Sequence, residues 1–337
     1  MKKKITVNFV DFNPEFDKND NEFMDYLRDR YEVSFSDNPD YLIYSVFGYE
    51  HLKYDGIRIC YTGENIIPDF NACDYAFGYD RIEFGDRYRR IPIYLLFQYR
   101  AAYEALFHRK PVTQEDLDKK KGFCAAVISN PLAMPERDEL FFMINDYKEI
   151  DSAGKYLNNV GHTAGVRFNP DHKKEFQEGH KFSLAIENQS YIGYSTEKIC
   201  DSLQAYTIPI YYGDPTVTIE FNDEAFVNVH KYDSFEEAVE VIKEIDQNDE
   251  LALKMLNANP INKPMNFFEM RDFLYYIMDQ DYEHARRRPV SPNAKEWLDM
   301  IKRQQFYEDH VQKYVRKVKN ELKRRDMKKK GLEKLKK

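Results

Sequence analysis

The chain has 337 residues, and a prior of roughly 150 residues per domain makes two domains the first expectation. Its 42% hydrophobic and 15% aromatic content can build substantial cores, and its 32% charged residues are spread along the chain, which excludes wholesale disorder. Residues 311–337 hold thirteen Lys/Arg against three Asp/Glu, a local +10, so the total of −8 leaves −18 on the rest, a poor match for nucleic acid.

From the start, MKKK leads into an apolar run that ends at Asp11, too soon for a signal peptide. Residues 4–10 (KITVNFV) alternate as a half-buried strand does, residues 16–30 read as a helix, and residues 41–47 and 57–61 read as further strands. Residues 92–107 are aromatic-rich and periodic enough for a helix. The charged run 114–122 (QEDLDKKKG) has no apolar stripe and reads as a linker, after which residues 123–128 open a new buried strand. Helices are expected at 137–148, 196–206, 235–246 and 249–258, and the alternation of strands and helices in both halves argues for α/β layers in each. Cys60, Cys73, Cys124 and Cys200 lie far apart without a CxxC pair, which argues against a zinc module or disulfide scaffold and fits a reducing cytoplasm. No stretch approaches the roughly eighteen apolar residues of a membrane span. In the tail, Val311, Tyr314, Val315, Val318 and Leu322 recur at helical spacing among Lys and Arg. Such a basic amphipathic helix suits an anionic membrane surface, and a solvated helical extension is the alternative.

The most informative segment is residues 181–215, KFSLAIENQSYIGYSTEKICDSLQAYTIPIYYGDP. Phe182, Leu184 and Ile186 mark a strand; a polar loop with Gly193 follows; Ser195 or Thr196 supplies a helix N-cap; and residues 207–212 form the next strand. This unit sets a helix N-terminus at the carboxyl edge of a sheet, where doubly wound domains hold phosphates, with Lys198 in the first turn. Glu187, Asn188, Tyr194, Glu197 and Lys198 gather at that one junction, a density of polar groups that points to a ligand.

Phe182, Glu187-Asn188, Tyr194, Thr196-Glu197-Lys198-Ile199, Asp201 and Thr207-Ile208-Pro209-Ile210-Tyr211 with Gly213 resemble, without a gap, the signature of the bacterial α-1,3-fucosyltransferases of glycosyltransferase family 10. The resemblance extends to Tyr61-Thr62-Gly63-Glu64-Asn65, residues 70–80, 84–90 and 124–130, Arg137 and Phe226-Val227-Asn228-Val229, covering roughly residues 1–260. It implies an α/β fold of the GT-B kind: two Rossmann-like domains facing across a cleft, with a C-terminal basic amphipathic helical tail. The expected division is an acceptor-binding domain at 1–117, a GDP-fucose-binding domain at 118–300 and the tail at 301–337. Lys198 would bind the donor phosphates; Asn188, Tyr194 and Glu197 would line the ribose and fucose hydroxyls; Glu187 would either join the donor site or fix the loop. Where the family carries an arginine for the pyrophosphate, this chain offers Lys155, with Arg167 as the alternative.

The family's proposed base falls on Glu64, after the strand at 57–61 on a glycine-containing turn. The implied reaction moves L-fucose from GDP-fucose to O3 of N-acetylglucosamine in a galactose-bearing glycan, with inversion: Glu64 takes the acceptor proton while Lys198 and the helix end meet the charge on the leaving phosphate. No cofactor is required by this design, and a divalent cation would at most stimulate; Asp279-Gln280-Asp281 reads as a helix end and not a metal site. Expected partners are GDP-fucose, an N-acetyllactosamine-type acceptor and an anionic membrane surface under the tail, with the protein cytoplasmic and peripheral on the inner face. Phe70, Tyr88 and Tyr94 are candidates to stack on sugar faces. The alternative is a non-catalytic nucleotide-sugar- or glycan-binding protein on the same fold.

Overall fold

The structure, a computed structural model, describes residues 2–96, 99–161, 170–308 and 312–335. By contact the chain divides into two compact units, Met1–Phe97 with Asn266–Val318, and Gln98–Met265 with Lys319–Lys337.

The first unit begins with β1 (Lys4–Val10), α1 (Glu22–Arg30), β2 (Glu32–Phe35), β3 (Tyr41–Tyr44), β4 (Ile57–Tyr61), β5 (Tyr75–Gly78) and β6 (Tyr88–Arg90). The six strands form one sheet in the order β2-β1-β3-β4-β5-β6, and every pairing is parallel. Parallel strands covered on both faces read as continuous apolar runs, and β3 and β4 are buried along their whole length. The helix expected from residue 16 starts at Glu22. Before it, Asn13 and Asp17 accept from the backbone N–H groups of Glu15 and Asn19, local bonds that compete with a helix, and Asn21 then caps α1 through Met24 N. The strand expected to run to residue 47 stops at Tyr44, because Asp11 O takes the Phe47 N–H and turns the chain away.

The second unit opens with α2 (Arg100–Ala105) and α3 (Gln114–Asp118), followed by β7 (Gly122–Ala126), α4 (Pro135–Tyr147), β8 (Ile150–Ser152), α5 (Pro170–Glu178), β9 (His180–Ile186), α6 (Glu197–Gln204), β10 (Ile208–Tyr212), β11 (Val227–Asn228), α7 (Phe235–Gln247) and α8 (Asp249–Asn257). Its five strands are also all parallel, ordered β11-β10-β9-β7-β8. The core joins Phe123, Phe182, Leu184 and Ile210 of the sheet to Leu140, Phe141 and Ile144 of α4 and Ile242 of α7. The single helix expected over 92–107 is in pieces: Ile93–Leu95 is a 3₁₀ turn, Leu96 is extended (φ −121°, ψ 153°), and α2 starts only at Arg100. The expected linker at 114–122 contains α3, nucleated by a capping box in which Thr113 and Asp116 each bond the other's backbone N–H.

Residues 266–318 then return to the first unit through α9 (Glu269–Asp279), α10 (Tyr282–Ala285) and α11 (Pro292–Tyr307), a return that the domain division read from sequence did not contain. On α9, Phe273 meets Phe77 and Tyr75 edge-on at 5.2 and 5.9 Å. Fully buried Asp74 accepts from the backbones of Arg58, Arg287 and Arg288 and from the Arg288 guanidinium, which ties the 286–288 run to the sheet. Asp279 ends α9 and pairs with Arg30, and Asp281 caps α10, so the DxD-like string is two helix ends. The last helix, α12 (Lys313–Leu335), leaves Tyr314, Val315, Val318 and Leu322 exposed. Near its end, buried Gly331 lies so close to Leu157 and Tyr156 that an added Cβ would come within 3.0 and 3.1 Å of them.

Candidate functional site

In both sheets the strand order reverses direction beside the first strand, between β1 and β3 and between β7 and β9. In open parallel sheets the crevice outside the carboxyl ends at such a point is where ligands bind. In the second unit that crevice is bounded by the residues after β7 and by Glu187-Asn188 at the end of β9. The loops are drawn together there: Met134 N donates to Asn188 O at 2.9 Å, and Tyr156 N donates to Ile128 O at 2.8 Å. Gly154 is needed at this crossing, since a Cβ on it would fall 1.9 Å from Ile128 O.

Glu187 is the hub of the corner. Its side chain is wholly buried and accepts from Thr196 N at 2.7 Å, Thr196 Oγ1 at 2.8 Å and Lys198 Nζ at 2.6 Å. Thr196 therefore holds the N-cap position of α6 but spends its hydroxyl on Glu187 instead of on the helix. Lys198 also donates to Thr196 Oγ1 at 2.9 Å, and its side chain is 24% exposed. Burial works against the charge on Lys198, yet Glu187 and then Glu197 outweigh it and hold the ammonium above its ordinary pKa. Burial pushes the Glu187 carboxyl up, and Lys198 offsets only part of this.

The network continues along α6. Asp201 pairs with Lys173 of α5 at 2.5 Å. Burial would raise Glu197, but Lys198 and Lys173 together hold it below the usual carboxylate range. Asp201 is pushed up, by burial first, against the pull of Lys173. Carboxylates and ammoniums thus alternate, so Lys198 is an ordered, permanently charged donor and not a loose surface lysine.

A second buried carboxylate fixes the loop between Asn188 and Thr196. Asp214, after β10, accepts from Gly193 N at 2.8 Å, from Ser195 Oγ at 3.3 Å, and from Thr216 N and Oγ1 at 2.8 and 2.6 Å. Gly193 stands at φ 82°, in the left-handed region that favours glycine. His230, after β11, stacks on Tyr212 at 4.5 Å and brings Nε2 within 3.0 Å of Gly213 O, and burial lowers its pKa.

Among the residues read from sequence, Glu187, Asn188, Tyr194, Glu197 and Lys198 share this corner, Tyr194 being buried and Asn188 partly so. Of its two offered roles, Glu187 has the loop-fixing one in full. Lys155 is exposed after β8, two strand spacings or roughly 10 Å along the edge from β9. Arg167 lies outside the described residues. Glu64 is exposed, two residues beyond Thr62, at the carboxyl edge of β4 in the first unit, where Thr62 Oγ1 donates to its carbonyl at 2.9 Å. The reading of Tyr88 and Tyr94 as sugar platforms is corrected: both are buried, with Tyr88 OH donating to Asp80 O, so neither face is open. Phe70 is partly buried, with Phe84 at 4.5 Å and the Arg87 guanidinium over its ring. The sequence reading missed Lys173, Asp214 and His230. Of these only Asp214 had a local signal, an acidic residue in the turn that closes β10. It also missed Asp11 and His51, paired at 2.7 Å with Tyr44 stacked on the imidazole at 3.9 Å, which occupy the reversal point of the first sheet.

Two family profiles match the chain: the alpha-(1,3)-fucosyltransferase FucT N-terminal domain over residues 7–97, and the glycosyltransferase family 10 (fucosyltransferase) C-terminal region over residues 117–260. The chain belongs to the family 10 fucosyltransferases. Alpha-(1,3)-fucosyltransferase FucT of Helicobacter pylori is 34% identical over 283 residues, covering 70% of this chain and 55% of that one. A putative fucosyltransferase of Acanthamoeba polyphaga mimivirus is 34% identical over 157 residues, 44% of this chain and 26% of its own. The chain therefore spans about half the length, or less, of these curated relatives. A crystal structure of an alpha1,3-fucosyltransferase superposes with a TM-score of 0.70 at 27% identity, over 83% of this chain and 91% of the other, and its form with GDP-fucose does so at 0.67 and 28%. This family 10 fucosyltransferase has the same α/β fold with parallel sheets as those structures.

Proposed function

We propose that this fucosyltransferase moves L-fucose from GDP-fucose to O3 of N-acetylglucosamine in a galactose-containing glycan, with inversion at the anomeric carbon, on a fold of the GT-B kind. The observation that carries the reading is the Glu187–Thr196–Lys198 corner at the reversal point of the second sheet. A lysine ammonium has three N–H groups; two are used by Glu187 and Thr196, and the third serves a donor phosphate. Because Glu187 and Thr196 orient the head in advance, little reorganisation is needed as charge grows on the departing GDP. Asn188, Tyr194 and Glu197 line the donor sugar hydroxyls, and Lys155 or Arg167 takes the outer phosphate. The GDP-fucose complex of a similar alpha1,3-fucosyltransferase supports the choice of donor.

Glu64 takes the proton of the acceptor hydroxyl on the face of the fucose opposite GDP, late in the attack because a carboxylate is a weak base toward an alcohol. Exposed Phe47, Tyr49, Ile66 and Ile67 follow β3 and β4 at the same edge as Glu64 and give apolar surface for sugar faces. The protein needs no cofactor, a divalent cation acting only to stimulate by binding GDP. The α12 helix lays its exposed Val315, Val318 and Leu322 on an anionic membrane face, placing the protein at the cytoplasmic side. Incubation with GDP-fucose and N-acetyllactosamine tests the reading. It expects GDP release matched by fucosylated product, whereas donor binding without product across a broad acceptor panel would instead make the chain a binding protein.

A further inference from the structure

The reversal point of the first sheet carries its own constellation. Asp11 follows β1 and His51 follows β3, so both stand at the carboxyl edge, by the crevice where an open parallel sheet binds its ligand. Asp11 holds φ 60°, in the left-handed region that a non-glycine residue adopts at a cost, and such strain concentrates at functional sites. Its side chain is only 2% exposed and accepts from Glu50 N at 2.9 Å, His51 N at 2.9 Å and His51 Nδ1 at 2.7 Å. Gly48 lets the loop close over that carboxylate, since a Cβ on it would fall 2.3 Å from Asp11 Oδ1. The Tyr44 ring lies parallel to the imidazole at 3.9 Å, so the ring is fixed in plane as well as in position. An ionised carboxylate only accepts, so Nδ1 carries the proton, and in the neutral imidazole the lone pair is left on Nε2.

Tying the loop to Asp11 uses Nδ1 alone, and the second ring nitrogen is left over. Nε2 has no hydrogen-bond partner among the described residues. It is not one of their sealed polar atoms either, so solvent reaches it although the side chain is only 9% exposed. A buried ring locked in one tautomer and one orientation thus presents a single acceptor. A hydroxyl suits it; a phosphate or carboxylate does not, because the lone pair and the Asp11 charge behind it repel an anion. Phe47 and Tyr49, exposed in the same loop, offer apolar faces to a sugar ring whose hydroxyls then meet polar groups. Glu64 follows the neighbouring strand β4, one strand spacing or roughly 5 Å along the edge from β3.

We infer that His51 Nε2 binds the acceptor saccharide by accepting a hydrogen bond from a sugar hydroxyl other than the one Glu64 deprotonates, and that Asp11 is the positioning residue that holds the ring for it. The inference rests on the acceptor reading given above and names a binding group for it on the first unit.

The test uses the full chain with N-acetyllactosamine as probe. His51→Asn keeps an N–H for Asp11 but loses the Nε2 acceptor, whereas His51→Gln returns an amide oxygen near the Nε2 position. His51→Asn should raise the acceptor KM about tenfold while GDP affinity by calorimetry stays level, and His51→Gln should recover most of that loss. A ring that only ties the loop predicts the reverse order, with His51→Asn as good as the parent and His51→Gln worse, and that result overturns the inference. The unmodified chain gives a second readout that needs no variant to fold. The nitrogen NMR resonance of His51 Nε2 should report an unprotonated atom and should move as acceptor is added to saturation. Movement without fucosylated product supports this inference while the transfer reading fails. Product without movement overturns this inference alone, and neither product nor movement overturns both.

Discussion

Replacing Lys198 by Met isolates what its ion pair with Glu187 contributes. The Glu187 side chain has no exposure, so the variant strands a carboxylate that keeps only Thr196 as partner. Removing one member of a buried pair costs about 3–5 kcal/mol, and because Lys198 is 24% exposed, water entering behind it puts the expected loss near the lower figure, about 3 kcal/mol at neutral pH. With a urea m value of about 3 kcal/mol/M the unfolding midpoint should fall by about 1 M. The pH dependence has a definite sign. Burial already sets the Glu187 carboxyl above its unfolded value of 4.5, and loss of Lys198 raises it further. A carboxyl raised in the fold binds its proton more tightly there than in the unfolded chain, so stability falls as pH rises through that window. The variant should therefore approach the parent at acid pH and fall away from it toward neutrality. Lys198→Met/Glu187→Gln, which removes both charges, should recover most of the stability. Urea titrations from acid to neutral pH check this, and a single variant as stable as the parent at neutral pH would refute the account of the corner.

Glu64→Gln should lower turnover by roughly 10²–10⁴-fold while GDP affinity stays level, and initial rates with N-acetyllactosamine check it. Lys120 titrates at about 8 in the fold and 10.5 unfolded, so the unfolded chain binds more protons between those values and stability rises with pH across them. Burial being the cause of that shift, Lys120→Met should stabilise the protein by about 1–3 kcal/mol at neutral pH, a gain that vanishes above 10.5 in urea titrations. Val315→Ser/Val318→Ser/Leu322→Ser should abolish co-sedimentation with anionic vesicles while leaving GDP-fucose turnover intact, and a parent chain that never sediments contradicts the membrane assignment.

The parallel sheets were legible where a strand is buried on both faces, as β4, β9 and β10 are in runs such as IPIYY, and where it alternates, as β1 does in KITVNFV. The short edge strands β2, β6, β8 and β11, of two to four residues, carry too few positions to show a period. The corner residues were legible because five of them lie within twelve positions. Lys173 was not: its partner Asp201 is 28 residues away, and only the packing of α5 on α6 joins them. The return of 266–318 to the first unit had no local signal either, because it depends on Asp74 collecting Arg287 and Arg288 from more than two hundred residues away. Tyr88 and Tyr94 were misread for the opposite reason, since aromatic content near a proposed site does not distinguish an open ring from a buried one.

Calorimetric titration of GDP-fucose into Lys198→Met/Glu187→Gln beside the parent reads the donor corner without the complication of a stranded charge. Affinity at least about tenfold weaker in the folded double variant is the predicted result. Equal affinity in the two proteins would move the donor's phosphates away from Lys198 and contradict the assignment.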